Sequence, residues 1–100
     1  MIPDLALDDI ARQFLRRTKS DGERLRLLLR QTANPTEAMA EIRQLVHRLA
    51  GTAGTLGFSR LSETAQAVDE LFTGSAPDQV LLQDHLSAVF AEIAEANQQH

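Results

Sequence analysis

The chain contains no cysteine, tryptophan or tyrosine, and only 4% of its residues are aromatic. Without thiols it can form neither a disulfide nor a thiolate metal site. With so few rings, the core has to be built from Leu, Ala, Ile and Val, the palette of a helical bundle. Basic residues nearly vanish after the midpoint. Residues 51–100 hold only Arg60 against seven acids, a balance of −6, whereas residues 1–50 hold nine basic residues against seven acids, a balance of +2. The net charge of −4, with no dense basic run and no interleaved aromatics, excludes a nucleic-acid partner from the expected set. No apolar run approaches the ~18 residues of a membrane-spanning helix. The start Met1-Ile2-Pro3-Asp4 lacks the basic region and apolar stretch of a secretory signal. These absences predict a cytoplasmic protein, and the length predicts one domain over residues 1–100 with a single small core.

What the chain does have is helical periodicity, in five segments with no strand alternation and no repeat. The first runs from Asp4 to Thr18 with Leu7, Ile10, Ala11 and Phe14 as its apolar side. Ser20-Asp21-Gly22-Glu23 has the serine and glutamate of a capping box and opens a second helix carrying Leu25, Leu28 and Leu29, ending near Thr32. Asn34-Pro35-Thr36-Glu37 supplies an N-cap, a proline in the first turn and an acid beside it, and Gly57 terminates the helix so begun. A fourth helix from Ser59 stacks Leu61, Ala65, Val68 and Phe72 before Gly74. Ser75-Ala76-Pro77-Asp78 starts a fifth, with Val80 or Leu82, then Leu86, Val89, Phe90 and Ile93 inward and a fraying tail from Asn97. Short connections make neighbouring helices antiparallel. The predicted fold is therefore all-α, an up-down-up-down antiparallel four-helix bundle with an additional short N-terminal helix across it.

One segment stands apart from this regular pattern: His47-Arg48-Leu49-Ala50-Gly51-Thr52-Ala53-Gly54-Thr55-Leu56-Gly57-Phe58. The apolar stripe of its helix is Ile42, Leu45, Val46, Leu49, Ala53 and Leu56. At ~100° per residue His47 projects roughly 150° from the middle of that stripe, toward solvent. On its flank lie Ala40, Arg43, Gln44, Ala50, Gly51 and Gly54, none of them bulky and apolar, as an imidazole met by a large partner requires. Histidine is suited to such a role because its ordinary pKa, near 6.5, leaves one ring nitrogen unprotonated and nucleophilic at neutral pH.

The run resembles the signature of histidine-containing phosphotransfer (HPt) domains. These have an apolar residue two after the histidine, glycine four after, small residues, then an apolar residue and glycine nine and ten after, here His47, Leu49, Gly51, Thr52, Ala53, Leu56 and Gly57. Leu61, Ala65, Val68 and Leu71 are similar to the apolar spacing of that family's next helix. Many members carry lysine three after the histidine, where this chain has Ala50. The resemblance implies a helical bundle whose His47 carries a phosphoryl group on the ring nitrogen distal to the backbone; a monomer is expected because the chain has enough helices alone to close a bundle. It also implies response-regulator receiver domains or a hybrid histidine kinase as partners. The aspartyl phosphate and the Mg²⁺ that neutralises developing charge would both belong to the receiver, so no cofactor or metal is expected on this chain.

Around His47, Arg43 lies one turn earlier on nearly the same flank, where a phosphate could attract it. Arg48 points roughly 100° away; either arginine could instead pair with a carboxylate such as Glu41. Gln44 could hydrogen-bond the imidazole or phosphate, Ala50, Gly51 and Gly54 would clear the approach, and Leu27, off its own helix's apolar face, is a candidate contact for the receiver. His85 and His100 lack such surroundings and are read as structural. Two other readings remain: a helical bundle that binds a receiver without carrying phosphate, and the dimerisation hairpin of a sensor kinase. The hairpin usually has an acid and then a proline after its histidine, which Arg48 and the glycine-containing run do not match.

Overall fold

A computed structural model describes the backbone of residues 4–31 and 33–99 and the side chains of 8–31 and 33–98. Four helices follow one another: α1 Asp4–Arg30, α2 Pro35–Thr55, α3 Ser59–Leu71 and α4 Gln79–Gln99. No strand occurs among the described residues. Each helix packs on two others in the cyclic order α1, α2, α3, α4. The cross-helix contacts give the directions. Asp21 meets Arg48 while Arg24 meets Glu41, Ser62 meets Ala50 while Asp69 meets His47, and Gly22 faces Ile93 while Arg26 lies over Phe90. In every pair one index falls as the other rises, so these neighbours are antiparallel.

The expected short N-terminal helix is absent as a separate element. The chain stays helical through Ser20-Asp21-Gly22-Glu23, and the first two predicted segments form the single 27-residue α1. A helix N-cap is worth about 0.5–2 kcal/mol. A break here would take Phe14, Leu15 and Thr18 off the line they share with Leu25 and Leu28, all of them buried, and one buried leucine is worth about 1.5–3 kcal/mol. Burial therefore overrides the local cap signal. Thr18, 1% exposed, settles its hydroxyl by donating to the Leu15 carbonyl at 2.8 Å. Ile10, placed on the apolar side by periodicity, is 47% exposed, and Leu15 takes the inward position instead. The Leu7 side chain and Thr32 lie outside the described residues.

α2 begins and ends where its sequence signals stand. Pro35 occupies the first turn, but Asn34 makes no side-chain cap, and the ladder starts with the Ala38 N–H donating to the Asn34 carbonyl at 3.0 Å. At the other end Gly57 adopts φ +87°. The Phe58 N–H bonds the Ala53 carbonyl at 2.8 Å and the Gly57 N–H bonds that of Gly54 at 3.3 Å, the paired bonds of a Schellman stop. Phe58 then stacks on Phe14 of α1 with centroids 5.2 Å apart, which fixes the α2–α3 turn to the body of the bundle. α4 starts at Gln79, after Asp78, whose carboxylate accepts from the Leu81 N–H at 3.2 Å. Leu82 rather than Val80 turns inward, being 0% against 66% exposed. The tail does not fray at Asn97, which donates to the Ile93 carbonyl within a helix that continues to Gln99.

α1 is set on α2 by two ion pairs. The Arg24 guanidinium grips Glu41 through both oxygens, at 2.5 and 2.8 Å, and Arg48 reaches Asp21 at 3.4 Å. The hydrogen bond from Arg24 holds the Glu41 carboxyl below its ordinary range, and the same bond raises Arg24. A lowered carboxyl stabilises the fold above its unfolded pKa and loses that contribution as pH falls through the folded value. Exposed pairs of this kind orient helices more than they stabilise them.

α2 and α3 approach through small residues. Ser62, 6% exposed, donates to the Ala50 carbonyl at 2.8 Å, and a methyl built on Gly54 would sit 3.1 Å from the Ser62 Oγ. A methyl on Gly51 meets nothing within 4 Å. Replacing an interior helical glycine by alanine is worth about 0.8–1.0 kcal/mol where space allows. We therefore expect Gly51→Ala to raise stability in urea denaturation by up to that amount, and Gly54→Ala to gain little or lose stability by displacing the Ser62 hydroxyl. Equal gains at the two positions would contradict this account of the interface.

Candidate functional site

His47 lies in the second half of α2, its side chain 77% exposed. Its backbone is nonetheless fixed, because Val46 and Leu49 on either side are 0% and 3% exposed. The helix thus carries an exposed ring on a packed base. The ring is oriented by α3: Nδ1 lies 2.9 Å from Oδ2 of Asp69, whose side chain is only 27% exposed. An ionised carboxylate can only accept a hydrogen bond, so toward such a partner Nδ1 is the donor, and Nε2 is the ring nitrogen outside this contact. A carboxylate on one ring nitrogen orients the ring and its other nitrogen, as it does at metal-bound histidines.

Asp69 was not among the residues singled out from the sequence. A signal for it existed in the hairpin geometry. Once Gly57 and Phe58 are read as the turn between antiparallel helices, residues equidistant from it face each other. His47 stands eleven positions before Phe58 and Asp69 eleven after. Periodicity within either helix alone places Asp69 merely beside the apolar stripe.

The expected flank residues divide into two groups. Arg43, Gln44 and Gly51 are exposed along α2 beside His47, and Arg43 makes no ion pair among the described residues, since Glu41 is taken by Arg24 and Arg48 engages Asp21. Ala50 departs from the expected open flank: it is 6% exposed and covered by α3, with its carbonyl bonded to Ser62. A lysine at that position would have to snorkel out from beneath the neighbouring helix. Gly54 is exposed, and the absence of a side chain there also accommodates Ser62 of α3. Leu27 is 58% exposed on α1, one turn beyond the Arg24 that binds α2. His85 is half-buried, and its Nδ1 donates to the Leu81 carbonyl of its own helix at 3.0 Å. His100 lies outside the described residues.

The site is thus an exposed imidazole held by a carboxylate on the outer face of a four-helix bundle. A family model described as Hpt domain matches residues 9–99, and the chain belongs to that family. No curated protein and no solved structure matches the chain. Membership makes this a histidine phosphotransfer domain of two-component signalling, a phosphocarrier class rather than a kinase. No helix among the described residues is long and apolar enough to cross a membrane.

If Asp69 fixes the ring, Asp69→Asn should change the tautomer balance of His47 without unfolding the bundle. Imidazole ¹⁵N shifts would report it: a dominant Nδ1–H form in the unsubstituted chain and a more even mixture in the variant. Identical shifts in both would remove Asp69 from this role.

Proposed function

We propose that His47 is the phosphoacceptor, and that the chain carries a phosphoryl group between response-regulator receiver domains, or between a hybrid histidine kinase and a receiver, in a phosphorelay. The observation that supports this reading best is the pairing of Nδ1 with Asp69 on a ring that is otherwise largely exposed, which leaves Nε2 outside that pairing. It agrees with the distal nitrogen that the family resemblance implies.

The chemistry follows from that arrangement. Nε2 attacks the phosphorus of a receiver's aspartyl phosphate; the Nε2–P bond forms as the P–O bond to the aspartyl carboxylate breaks, and the carboxylate leaves with the electron pair. The ring keeps its Nδ1 proton and so becomes cationic as it accepts the group. Asp69 lies against that developing charge, and a carboxylate already in place needs no reorganisation at the moment of transfer. Attack by a second receiver's aspartate on the same phosphorus reverses the step. Mg²⁺ would reside on the receiver and neutralise charge on the phosphoryl oxygens there. Arg43, Gln44, Gly51, Gly54 and Leu27 are the proposed phosphate or partner contacts on this chain; Ala50, buried beneath α3, is not.

His47→Gln should abolish acid-labile phosphorylation by phospho-receivers while changing stability by no more than about 1 kcal/mol, the scale of an exposed ion pair. Undiminished labelling would refute the assignment and favour a binding bundle that carries no phosphate. The open space over Gly51 generates a second expectation. Gly51→Gln should fold normally and transfer phosphate markedly more slowly, because its side chain would occupy the surface one turn after His47. Loss of the fold, or transfer at the original rate, would each contradict the view of Gly51 as clearance.

A further inference from the structure

Toward the start of α2 the surface beside His47 becomes concave. A groove of about 390 Å³ runs between the first half of α2 and the α3–α4 turn, walled by Met39, Ala40 and Arg43 on one side and Phe72, Gly74 and Ala76 on the other. Its base is apolar, since Phe72 is 7% exposed and Met39 packs partly buried against the core. Gly74, at φ +88°, presents no side chain there, and a methyl on it would meet nothing within 4 Å. Arg43 is the one charged residue lining the groove and has no ion pair among the described residues. An apolar base with one uncompensated cation at its wall is complementary to an apolar side chain flanked by a carboxylate.

The groove is continuous with the site. Arg43 precedes His47 by one turn, about 6 Å along the helix axis. A stable protein interface covers about 800 Å² on each partner, far more than an imidazole and the glycine beside it present. A macromolecule that reaches Nε2 must therefore extend along α2, and on this side it meets a concavity with an apolar base.

We infer that the groove is a specificity contact for the phosphoryl donor: it takes an apolar side chain of the docked receiver domain, with an adjacent receiver carboxylate paired to Arg43. The inference rests on His47 being the phosphoacceptor. Receivers lacking that apolar and acidic pair would still present an aspartyl phosphate but would dock without an anchor, and transfer would distinguish among them through encounter rather than through chemistry.

The test fills the groove without touching His47. Ala40 and Ala76 are both exposed, one on a helix and one in a turn, so Ala40→Trp and Ala76→Trp approach the groove from separate elements. Each variant is loaded in two ways: with phosphoramidate, a small donor that needs no docking, and with a panel of receiver domains phosphorylated by acetyl phosphate. Label on His47 is located by mass spectrometry. The expected result is unaltered helicity, phosphoramidate labelling of His47 at the original rate, and transfer from the receivers that serve the unsubstituted chain reduced tenfold or more. Transfer within twofold of the original from every such receiver, in both variants, would overturn the inference. So would a matching loss of phosphoramidate labelling, which would mean that the substitutions act on His47 itself. Failure of both donor types to label His47 in the unsubstituted chain would overturn the phosphoacceptor reading and the inference with it, an outcome visible before any substitution is made.

Discussion

The separation of α2 and α3 governs the functional surface. Asp69 has a short side chain, and it reaches the His47 ring only because the two helices are drawn together where Ser62 fits against Gly54 and bonds the Ala50 carbonyl. Larger residues at these positions would move the helix axes apart, and interaxial distance follows the side chains at the contact. The ring would then lose its contact with Asp69 while keeping its exposure. Small residues in this segment thus serve two distinct purposes on two faces: Ala50 and Gly54 set the spacing to α3, and Gly51 leaves the outer surface open.

Charge placement complements this spacing. The basic first half of the chain does not form a uniformly positive face, because Arg24 and Arg48 are used to hold α1 against α2. Arg26 lies over the Phe90 ring at 4.1 Å on the side of α1 that meets α4. Arg43, on the same helix as His47, has no ion pair among the described residues. Some cations thus organise the bundle while Arg43 is left exposed beside His47, a distinction that a net charge of −4 conceals.

How much of this was legible in the sequence depended on the range of the signal. The apolar stripe of α2, its start at Pro35 and its stop at Gly57 are local and stand as the sequence indicated. The continuity of α1 was hidden because Ser20 and Glu23 form a convincing local cap, while the burial of Leu15, Thr18 and Leu25 that outweighs it depends on helices far away in sequence. Ala50 was misplaced for a related reason. A helical wheel measures angle from a helix's own apolar stripe but does not show where its neighbours lie, and α3 widens the covered arc of α2 on the side that bears Ala50. His47 was recognisable from its exposure and its motif. Asp69 required the register of two helices, which belongs to neither of them alone.

The Schellman turn that sets that register also makes the site sensitive to chain length. His47 and Asp69 are apposed because equal stretches of helix separate each from Phe58, and Phe58 is itself seated on Phe14. Substitutions can accumulate over the outer faces of α2 and α3 without disturbing that count. An insertion or deletion of one residue inside either stretch would rotate everything beyond it by ~100°, carrying the carboxylate off the imidazole even in a bundle that still folds. The hairpin is a molecular ruler, and its fixed quantity is the number of residues between His47 and the turn more than the identity of most of them.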